Sequence, residues 1–362
     1  MGFLSMTKTS NRHQRFLAAL AFMAIDITSA GCGRGLLTTV EDGAVTTGIG
    51  GSGFGGSGFG GITGTGGLGF GGMTSTGGSG FGGATPGDLG PAIDTEGALH
   101  FTQVSVANTS TCGLKSDGTF LCWGCSPRPL EGKGDVAQIS SARWYNGCML
   151  ATDGTVDCWE QSSTCDGTFT PPTDTFRQVS AGTCYACGVR TGGTAACWGT
   201  NSDGQAAPPT DVFTQISAGE NHACGVHSNG TVACWGRNDH GESTPFADTF
   251  TQVSAGGSHT CGIRTDGTVV CWGDGSAGQS SPPAGVFTQI SAGLLHTCGL
   301  SVDGRVVCWG DDTSGESTPP AGSFTQVSSG DYHSCGLKTD GTIACWGCIT
   351  LSGCGMCTPP LP

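Results

Sequence analysis

The sequence is dominated by one phrase that returns at a fixed spacing. Seven copies open on F-T-Q-[VI]-S or a close variant, and they begin at Phe101, Val136, Phe176, Phe213, Phe250, Phe287 and Phe324. The last four are 37 residues apart, and the earlier ones differ slightly in length. All copies close on Cys-Trp, at Trp123, Trp159, Trp198, Trp235, Trp272, Trp309 and Trp346. A period of this size indicates a repeat architecture, in which stacked supersecondary units share a core.

Each repeat has the composition of three short strands. In the fifth copy, β-rich runs at 250–254, 261–264 and 268–272 are separated by turn residues. The last two runs are joined by Thr265-Asp266-Gly267, and a three-residue hairpin loop favours Gly at the position of positive φ. This loop places residues whose numbers sum to 532 opposite each other, so Cys261 should face Cys271. The repeat therefore predicts a three-stranded antiparallel unit.

The same register brings together a cysteine pair in every copy. Directly opposed β carbons are close enough for a disulfide. The pairs, each ten residues apart, are Cys112 with Cys122, Cys148 with Cys158, Cys187 with Cys197, Cys224 with Cys234, Cys261 with Cys271, Cys298 with Cys308, and Cys335 with Cys345. We expect seven cross-strand disulfides. A zinc site is the alternative, but these pairs lack the C-x2-C spacing and the further ligands of zinc knuckles.

A three-stranded unit cannot bury both of its faces alone. Radial stacking, in which each small sheet covers the next around an axis, solves this problem economically. Seven units predict an all-β, seven-bladed propeller with short three-stranded antiparallel blades. An open β-solenoid is the alternative, although its coils are usually shorter than 37 residues.

The repeat pattern also resembles a known family. The pattern S-A-G-x-x-H-x-C-G-[LIV]-x-x-D-G-x-V-x-C-W-G, followed by G-[QE] and a proline pair, is similar to the regulator of chromosome condensation repeat. The resemblance covers about 250 of the 362 residues and implies a seven-bladed propeller. The propeller-type β-lactamase inhibitor protein resembles it more distantly. The paired cysteines and short inter-blade segments depart from the family's eukaryotic pattern, which argues against its nuclear activity here.

The first 31 residues have the features of an export signal. Lys8, Arg12 and Arg15 precede an apolar run, and small residues then lead to Cys32. The ending resembles a bacterial lipobox, which implies lipidation of Cys32. Cleavage after Thr28-Ser29-Ala30 by ordinary signal peptidase is the alternative. The apolar run is too short for a transmembrane anchor.

Cysteine parity favours lipidation. Of the 21 cysteines, fourteen fall in the seven pairs, and setting Cys32 aside leaves an even six. Among these, Cys165 could pair with Cys184, and the tail 348–357 could help to close the ring. The remaining six, whose pairing the sequence leaves open, are Cys125, Cys165, Cys184, Cys348, Cys354 and Cys357.

Composition then divides the rest of the chain. Residues 32–98 are rich in Gly, Ser, Thr and Phe, which predicts a flexible linker without a core. The propeller is expected at 99–357, with a tail at 358–362.

The net charge limits the class of partner. After Cys32 there are 11 Lys or Arg residues against 27 Asp or Glu residues, a formal net charge of −16. Such a charge disfavours binding to nucleic acid.

Loop residues that break the repeat are the candidates for partner binding. We expect the positions just before the repeat's histidine slot to form loop tips on one face. Aromatic and apolar residues concentrated at loop tips are typical of a protein-binding surface. The alternative is that they pack inward against adjacent loops. The candidates are Arg143, Trp144, Tyr145, Leu294, Leu295 and Tyr332.

Catalytic and metal chemistry find less support in the sequence. His222, His259, His296 and His333 share one repeat slot, where the family resemblance implies that they fix loops by hydrogen bonds rather than bind a metal. The remaining Ser, His and Asp residues are explained by repeat position, so neither an enzyme nor a cofactor is predicted.

The predicted function is therefore binding. We expect an exported, lipid-anchored, monomeric propeller of the cell envelope, at the outer membrane or cell surface, with contact to the membrane through the N-terminal lipid. It would act as an adhesion or scaffold module for an extracellular protein or glycan. The alternatives are a secreted inhibitor of an extracellular enzyme and, less favoured, an enzyme.

Overall fold

A computed structural model describes most of the repeat region. The described residues are 99–124, 131–132, 134–143, 146–160, 165, 169–348 and 357–358. The predicted signal peptide, the lipidation site Cys32 and the linker lie outside them, as do Trp144, Tyr145, Cys125 and Cys354. No helix among the described residues is long and apolar enough to span a membrane.

Seven antiparallel sheets follow one another along the chain. The first strands of these blades are Phe101–Val106, Val136–Ser141, Phe176–Ala181, Phe213–Ala218, Phe250–Ala255, Phe287–Ala292 and Phe324–Ser329. The second strands are Ser110–Lys115, Gly147–Ala151, Tyr185–Arg190, His222–His227, His259–Arg264, His296–Ser301 and Ser334–Lys338. The third strands are Phe120–Gly124, Val156–Trp159, Ala195–Gly199, Val232–Gly236, Val269–Gly273, Val306–Gly310 and Ile343–Trp346. Blade 1 adds a short fourth strand, Glu131–Gly132. The predicted all-β, seven-bladed propeller is confirmed.

The hairpin between the second and third strands has the predicted register. In blade 5, Ile263 pairs with Val269 and Cys261 pairs with Cys271. Gly267 has φ of +83°, a conformation that favours glycine, and its N–H donates to the Arg264 carbonyl (2.9 Å). The Asp266 carboxylate accepts a hydrogen bond from the Thr268 N–H (2.9 Å), which fixes the turn.

A disulfide joins the two opposed cysteines in each of the seven blades, with the pairing expected from the register. The Cα atoms of every such pair are 4.0 Å apart. The bridges join Cys112 to Cys122, Cys148 to Cys158, Cys187 to Cys197, Cys224 to Cys234, Cys261 to Cys271, Cys298 to Cys308, and Cys335 to Cys345.

The two cysteines of a bridge differ in burial. The cysteine of the second strand is buried in all seven blades. Its partner on the third strand is buried in blade 1, at Cys122, and half-buried in the other six blades, at Cys158, Cys197, Cys234, Cys271, Cys308 and Cys345. The third strand is the outermost of the three, so its cysteine lies nearer to solvent.

Among the described residues, two more disulfides lie outside the repeat positions. They join Cys165 to Cys184, as the sequence suggested, and Cys348 to Cys357. The Cys348–Cys357 bridge lies within the segment 348–357 that follows the last strand.

The hydrophobic core lies between blades. Six of the seven clusters combine the disulfide and an aliphatic residue of one blade with the Phe, the Ile or Val and the Trp of the next, and between blades 1 and 2 Val136 takes the place of the Phe. Between blades 5 and 6, Cys261 and Ile263 pack with Phe287, Ile290 and Trp309. The same arrangement seals blade 7 against blade 1, where Cys335 and Leu337 pack with Phe101, Val104 and Trp123. Burial of apolar surface therefore holds neighbouring blades together and closes the ring.

Two polar rings, built from the first strands, line the axis. The Gln of each first strand bonds to the backbone of the next blade: Gln103 Oε1 accepts from the Ile139 N–H (2.9 Å) and its Nε2 donates to the Ile139 carbonyl (3.0 Å). The Ser two residues later accepts another backbone N–H of the next blade, as Ser105 does from Ser141 (2.8 Å). The axial cavity that these rings enclose measures about 210 Å³.

The same polar contacts close the circle. Gln326 Oε1 of blade 7 accepts from the Val104 N–H of blade 1 (2.8 Å), and Ser328 Oγ accepts from the Val106 N–H (3.0 Å). The first and last blades thus meet through side-chain contacts, packing and a backbone hydrogen bond from the Phe101 N–H to the Gly341 carbonyl (2.8 Å), rather than through a shared sheet. The sequence had left the means of ring closure open.

Candidate functional site

One end of the propeller is built from the loops between first and second strands. These loops, which we call the loop face, include residues 107–109, 142–143, 146, 182–184, 219–221, 256–258, 293–295 and 330–333. Because the first strands line the axis, their ends gather around it. The hairpins between second and third strands lie at the opposite end, since the strands are antiparallel.

Behind the loop face, four buried histidines join neighbouring blades. The Nε2 atoms of His222, His259, His296 and His333 lie 2.7–2.9 Å from hydroxyl oxygens of Thr260, Thr297, Ser334 and Thr111, each on the second strand of the next blade. The family resemblance implied that these histidines fix loops by hydrogen bonds, and the bonds they form cross the interfaces between blades.

The hydroxyl partners define the histidine tautomer. Thr260 Oγ1 donates to the Glu242 carbonyl (3.0 Å), so it accepts from His222, whose proton is on Nε2. Burial lowers the pKa of His222, His296 and His333 to about 4 and that of His259 to about 3. These imidazoles are therefore neutral at physiological pH. His222, His259 and His296 serve as inter-blade hydrogen-bond donors, because the hydroxyl that each one contacts donates to another oxygen.

In blade 3, Tyr185 occupies the repeat position of these histidines and also forms a hydrogen bond to the next blade. Its side chain is fully buried, and its hydroxyl donates to the His222 carbonyl of the next blade. Burial raises the pKa of Tyr185, so the phenol stays protonated. A different side chain thus preserves the link between blades.

At the centre of the loop face, a single arginine crosses the axis. The Arg143 guanidinium of blade 2 bonds through Nε to Asp331 Oδ2 of blade 7 (2.5 Å) and through Nη1 to Glu220 of blade 4. Its partners are separated from it by 188 and 77 residues of sequence. The arrangement connects three non-adjacent blades through one side chain.

The electrostatics of this triad follow from its burial. The Asp331 side chain is 8% exposed, against 18% for Arg143 and 27% for Glu220. Burial raises the pKa of Asp331, and the Arg143 guanidinium opposes that rise. Burial lowers the pKa of Arg143, but the two carboxylates more than offset this effect and the pKa is raised. The guanidinium is therefore firmly charged.

Two of the predicted partner-binding residues are exposed apolar groups on adjacent loops. Leu295 of blade 6 is 36% exposed, and Tyr332 of blade 7 is 37% exposed. Leu294 is half-buried, and its N–H donates to the Gly330 carbonyl of blade 7 (3.1 Å). Trp144 and Tyr145 lie outside the described residues. The described apolar candidates therefore divide into two exposed tips and one residue that packs partly inward.

Sequence reasoning included Arg143 but missed its two partners. Glu220 was visible only as one of several polar loop positions, and Asp331 as the residue before Tyr332. A cue was available in retrospect: each is an acidic residue where most other copies have an uncharged one. That cue does not reveal that both reach the same arginine.

The described residues contain no group of three His, Cys, Asp or Glu side chains suited to hold a metal ion. The four slot histidines bond across the blade interfaces through Nε2. The cysteines at the repeat positions are bridged as disulfides, from Cys112 with Cys122 in blade 1 to Cys335 with Cys345 in blade 7.

The repeats also match a known family model. The regulator of chromosome condensation (RCC1) repeat matches residues 213–242, 250–279, 287–316 and 324–354. Four of the seven blades match this repeat. Each match begins at the start of a first strand, and the first three end at the Gln or Glu after the inter-blade glycine. The resemblance drawn from the sequence is thereby confirmed, and the repeat's Cys-Trp-Gly ends each of these blades.

Solved structures share the propeller fold. The ectodomain of the receptor kinase CR4 from Physcomitrella patens is 26% identical, with a TM-score of 0.58 over 68% of this chain and 74% of its own. The ectodomain of the Arabidopsis thaliana receptor kinase ACR4 is 21% identical, with a TM-score of 0.55 over 70% and 99%. Prp20p of Saccharomyces cerevisiae is 15% identical, with a TM-score of 0.54 over 63% and 80%. Among curated proteins, none matches this chain.

Proposed function

We propose that this protein is an exported binding module that holds a protein partner on its loop face. The observation that carries the proposal is the pair of exposed apolar residues, Leu295 and Tyr332, on adjacent loops beside the Arg143 triad. Interface hot spots are enriched in aromatic side chains and Arg, and a polar rim surrounds them. The loop face supplies both on a scaffold braced by disulfides.

Export is supported by the redox chemistry of the chain. Disulfides in seven consecutive blades favour an oxidising compartment, because cytosolic thiols are kept reduced. The basic and apolar N-terminus with Cys32 favours a lipid-anchored product at the cell envelope. The net negative charge favours a partner other than nucleic acid.

Proteins of the same fold support two parts of this proposal, export and protein binding. The two plant structures are ectodomains of receptor kinases. Yeast Prp20p has binding properties towards Gsp1p and histones. These properties belong to those proteins, and they show that the scaffold is suited to holding other proteins. The binding chemistry of this chain depends on its own loop residues.

The test is capture of a partner with matched surface variants. The full mature chain would be immobilised and exposed to envelope extracts of the producing cells. Leu295→Ser with Tyr332→Ala removes the exposed apolar tips of the loop face. Val302→Ser is the matched control, because Val302 is 66% exposed and lies in a hairpin at the opposite end.

We expect one protein to be retained by the wild type and by V302S and lost with the double variant, and purified partner should reproduce this pattern. Equal retention by all three would reject the loop face as the binding surface.

Fractionation separates a tethered binding module from a secreted inhibitor. A product anchored through Cys32 and released by Cys32→Ala supports a tethered module, whereas a product found wholly in the medium supports a secreted inhibitor.

A further inference from the structure

The centre of the loop face contains a cavity beside the arginine triad. It measures about 120 Å³ and is lined by polar side chains from five blades, together with backbone of the Ala-Gly pairs. These polar residues are Asn108, Ser141, Arg143, Thr183, Glu220, Ser329 and Asp331. The cavity opens at the face on which Leu295 and Tyr332 are exposed.

Two polar atoms at this cavity lack a hydrogen-bond partner. Asn108 Oδ1 and Thr183 Oγ1 are inaccessible to solvent, and no described residue bonds to them. Buried polar groups are normally satisfied by protein, water or ligand. Asn108 and Thr183 belong to blades 1 and 3, which flank the blade of Arg143. Hydrogen-bonding capacity is therefore left over around the guanidinium.

The charge of the cavity is negative apart from its own arginine. Glu220 and Asp331 are the acidic residues of the lining, and Arg143 is its basic residue among the described ones. The two carboxylates approach the guanidinium from different sides, at Nη1 and at Nε. Carboxylates placed around a planar guanidinium recognise it by shape as well as by charge.

We propose that Asp331 and Glu220, at the wall of this cavity, form a guanidinium-binding site for an arginine side chain of the partner protein, and that Arg143 occupies that site in the unbound chain. The side chain of Arg143 is 18% exposed, and binding of a partner arginine would require it to rotate out of the site. A partner arginine would then bond to Asp331 and Glu220 in its place, while Leu295 and Tyr332 contact apolar residues around it.

The internal arginine sets the affinity of the site. An incoming arginine competes with Arg143, so its apparent affinity is reduced by the fraction of molecules in which the site is vacant. Removing the Arg143 side chain abolishes this competition. That the arginine belongs to a partner protein rests on the proposed protein-binding function. Binding of a guanidinium group to the pocket is testable without any partner.

The experiment measures small guanidinium compounds against variants of the full mature chain. Thermal unfolding and calorimetric titration would be recorded at pH 8 with millimolar methylguanidinium, with methylammonium at the same ionic strength as the control. The variants are Arg143→Ala and Arg143→Ala combined with Asp331→Asn. The double variant keeps the shape of the pocket and lacks the more buried carboxylate.

We expect R143A to unfold at a lower temperature and methylguanidinium to restore the loss in a saturable manner. Methylammonium should have a smaller effect, and the double variant should lose the response. Wild type should bind methylguanidinium at least about tenfold more weakly than R143A. If R143A does not fold alone, refolding with methylguanidinium present should rescue it.

A folded R143A without a saturable response, or an unfolded R143A that methylguanidinium does not rescue, would overturn the proposal. Neither result would bear on partner capture through Leu295 and Tyr332. Conversely, rescue of R143A by methylguanidinium together with failed partner capture would retain the pocket and reject the proposed protein-binding role.

Discussion

The Nε2 atom of His333 in the last blade lies 2.9 Å from the Thr111 hydroxyl of the first blade. Both side chains are fully buried, and the contact repeats the one that joins blades 4 to 5, 5 to 6 and 6 to 7. The junction between the two ends of the repeat region is thus built like the internal interfaces. Ring closure requires no special strand, because the repeat itself supplies the contacts.

Thr111→Val tests this closure. Valine keeps the shape of threonine but removes the hydroxyl, which leaves Nε2 of the buried His333 without its hydrogen-bond partner. We expect a loss of about 1–3 kcal/mol in the free energy of unfolding, measured by urea titration. Thr102→Val is the control, because Thr102 is exposed and its hydroxyl bonds within its own blade (3.2 Å to the Leu114 carbonyl). Equal losses for both variants would contradict a specific role of the junction.

The close approach of loop backbones around the axis gives a steric prediction. A β carbon on Gly293 would lie 2.3 Å from the Gly330 carbonyl oxygen and 2.6 Å from His296 Cε1. Gly293→Ala should therefore destabilise the protein by about 1–3 kcal/mol, through displaced backbone. Gly192→Ala is the matched control, since no atom lies within 4 Å of its β-carbon position. Urea midpoints that fall equally would argue against tight packing at the axis.

The disulfides should contribute measurably one blade at a time. Replacing Cys261 and Cys271 together by Ala removes one ten-residue bridge without leaving a free thiol. In the chain-entropy model, a loop of this size stabilises by about 2–3 kcal/mol. We expect that loss in urea titration under non-reducing conditions, against a change within about 0.5 kcal/mol for the exposed Val302→Ser. A loss as small as that of the control would show that the bridge contributes little.

Acid should weaken the propeller through its buried histidines. The folded-state pKa values of about 3 to 4 lie below the unfolded value of 6.5, so the unfolded chain binds more protons as the pH falls between these limits. Stability is therefore fully present above pH 6.5 and is lost towards pH 4, by up to about 1.4 kcal/mol per pH unit for each histidine.

Urea midpoints from pH 7.5 to 4 measure this dependence. His259→Gln removes one titrating ring, so its curve should be flatter than that of the wild type. The difference between the two curves also separates the histidine contribution from that of Glu316. Burial raises the pKa of Glu316, so its protonation stabilises the folded state as the pH falls. Parallel curves for the two proteins would contradict the assignment of neutral inter-blade histidines.

The regular part of the fold was predictable because each repeat specifies it locally. The hairpin loop Thr265-Asp266-Gly267 fixed the register, and the register placed Cys261 opposite Cys271. A turn with one preferred geometry thus determined which two cysteines, ten residues apart, face each other. The same local rule applied seven times, which is why both the blades and their bridges followed from the sequence.

The contacts between blades were not predictable in the same way. Gln326 and Ser328 occupy ordinary strand positions, and their partners Val104 and Val106 are 222 residues away. Arg143, Glu220 and Asp331 meet because the first strands end around one axis, a relation that no spacing encodes. Sequence periodicity predicts the units, whereas the axial site depends on how the circle brings unlike loops together.

Photo-crosslinking tests the proposed binding surface most directly. A benzoylphenylalanine would replace either Leu295 on the loop face or Val302 at the opposite end, and the full mature chain would be illuminated with envelope extract from the producing cells. Loop-face binding predicts a covalent adduct with one protein at position 295 and none at position 302. An adduct formed at 302 and absent at 295 would contradict it.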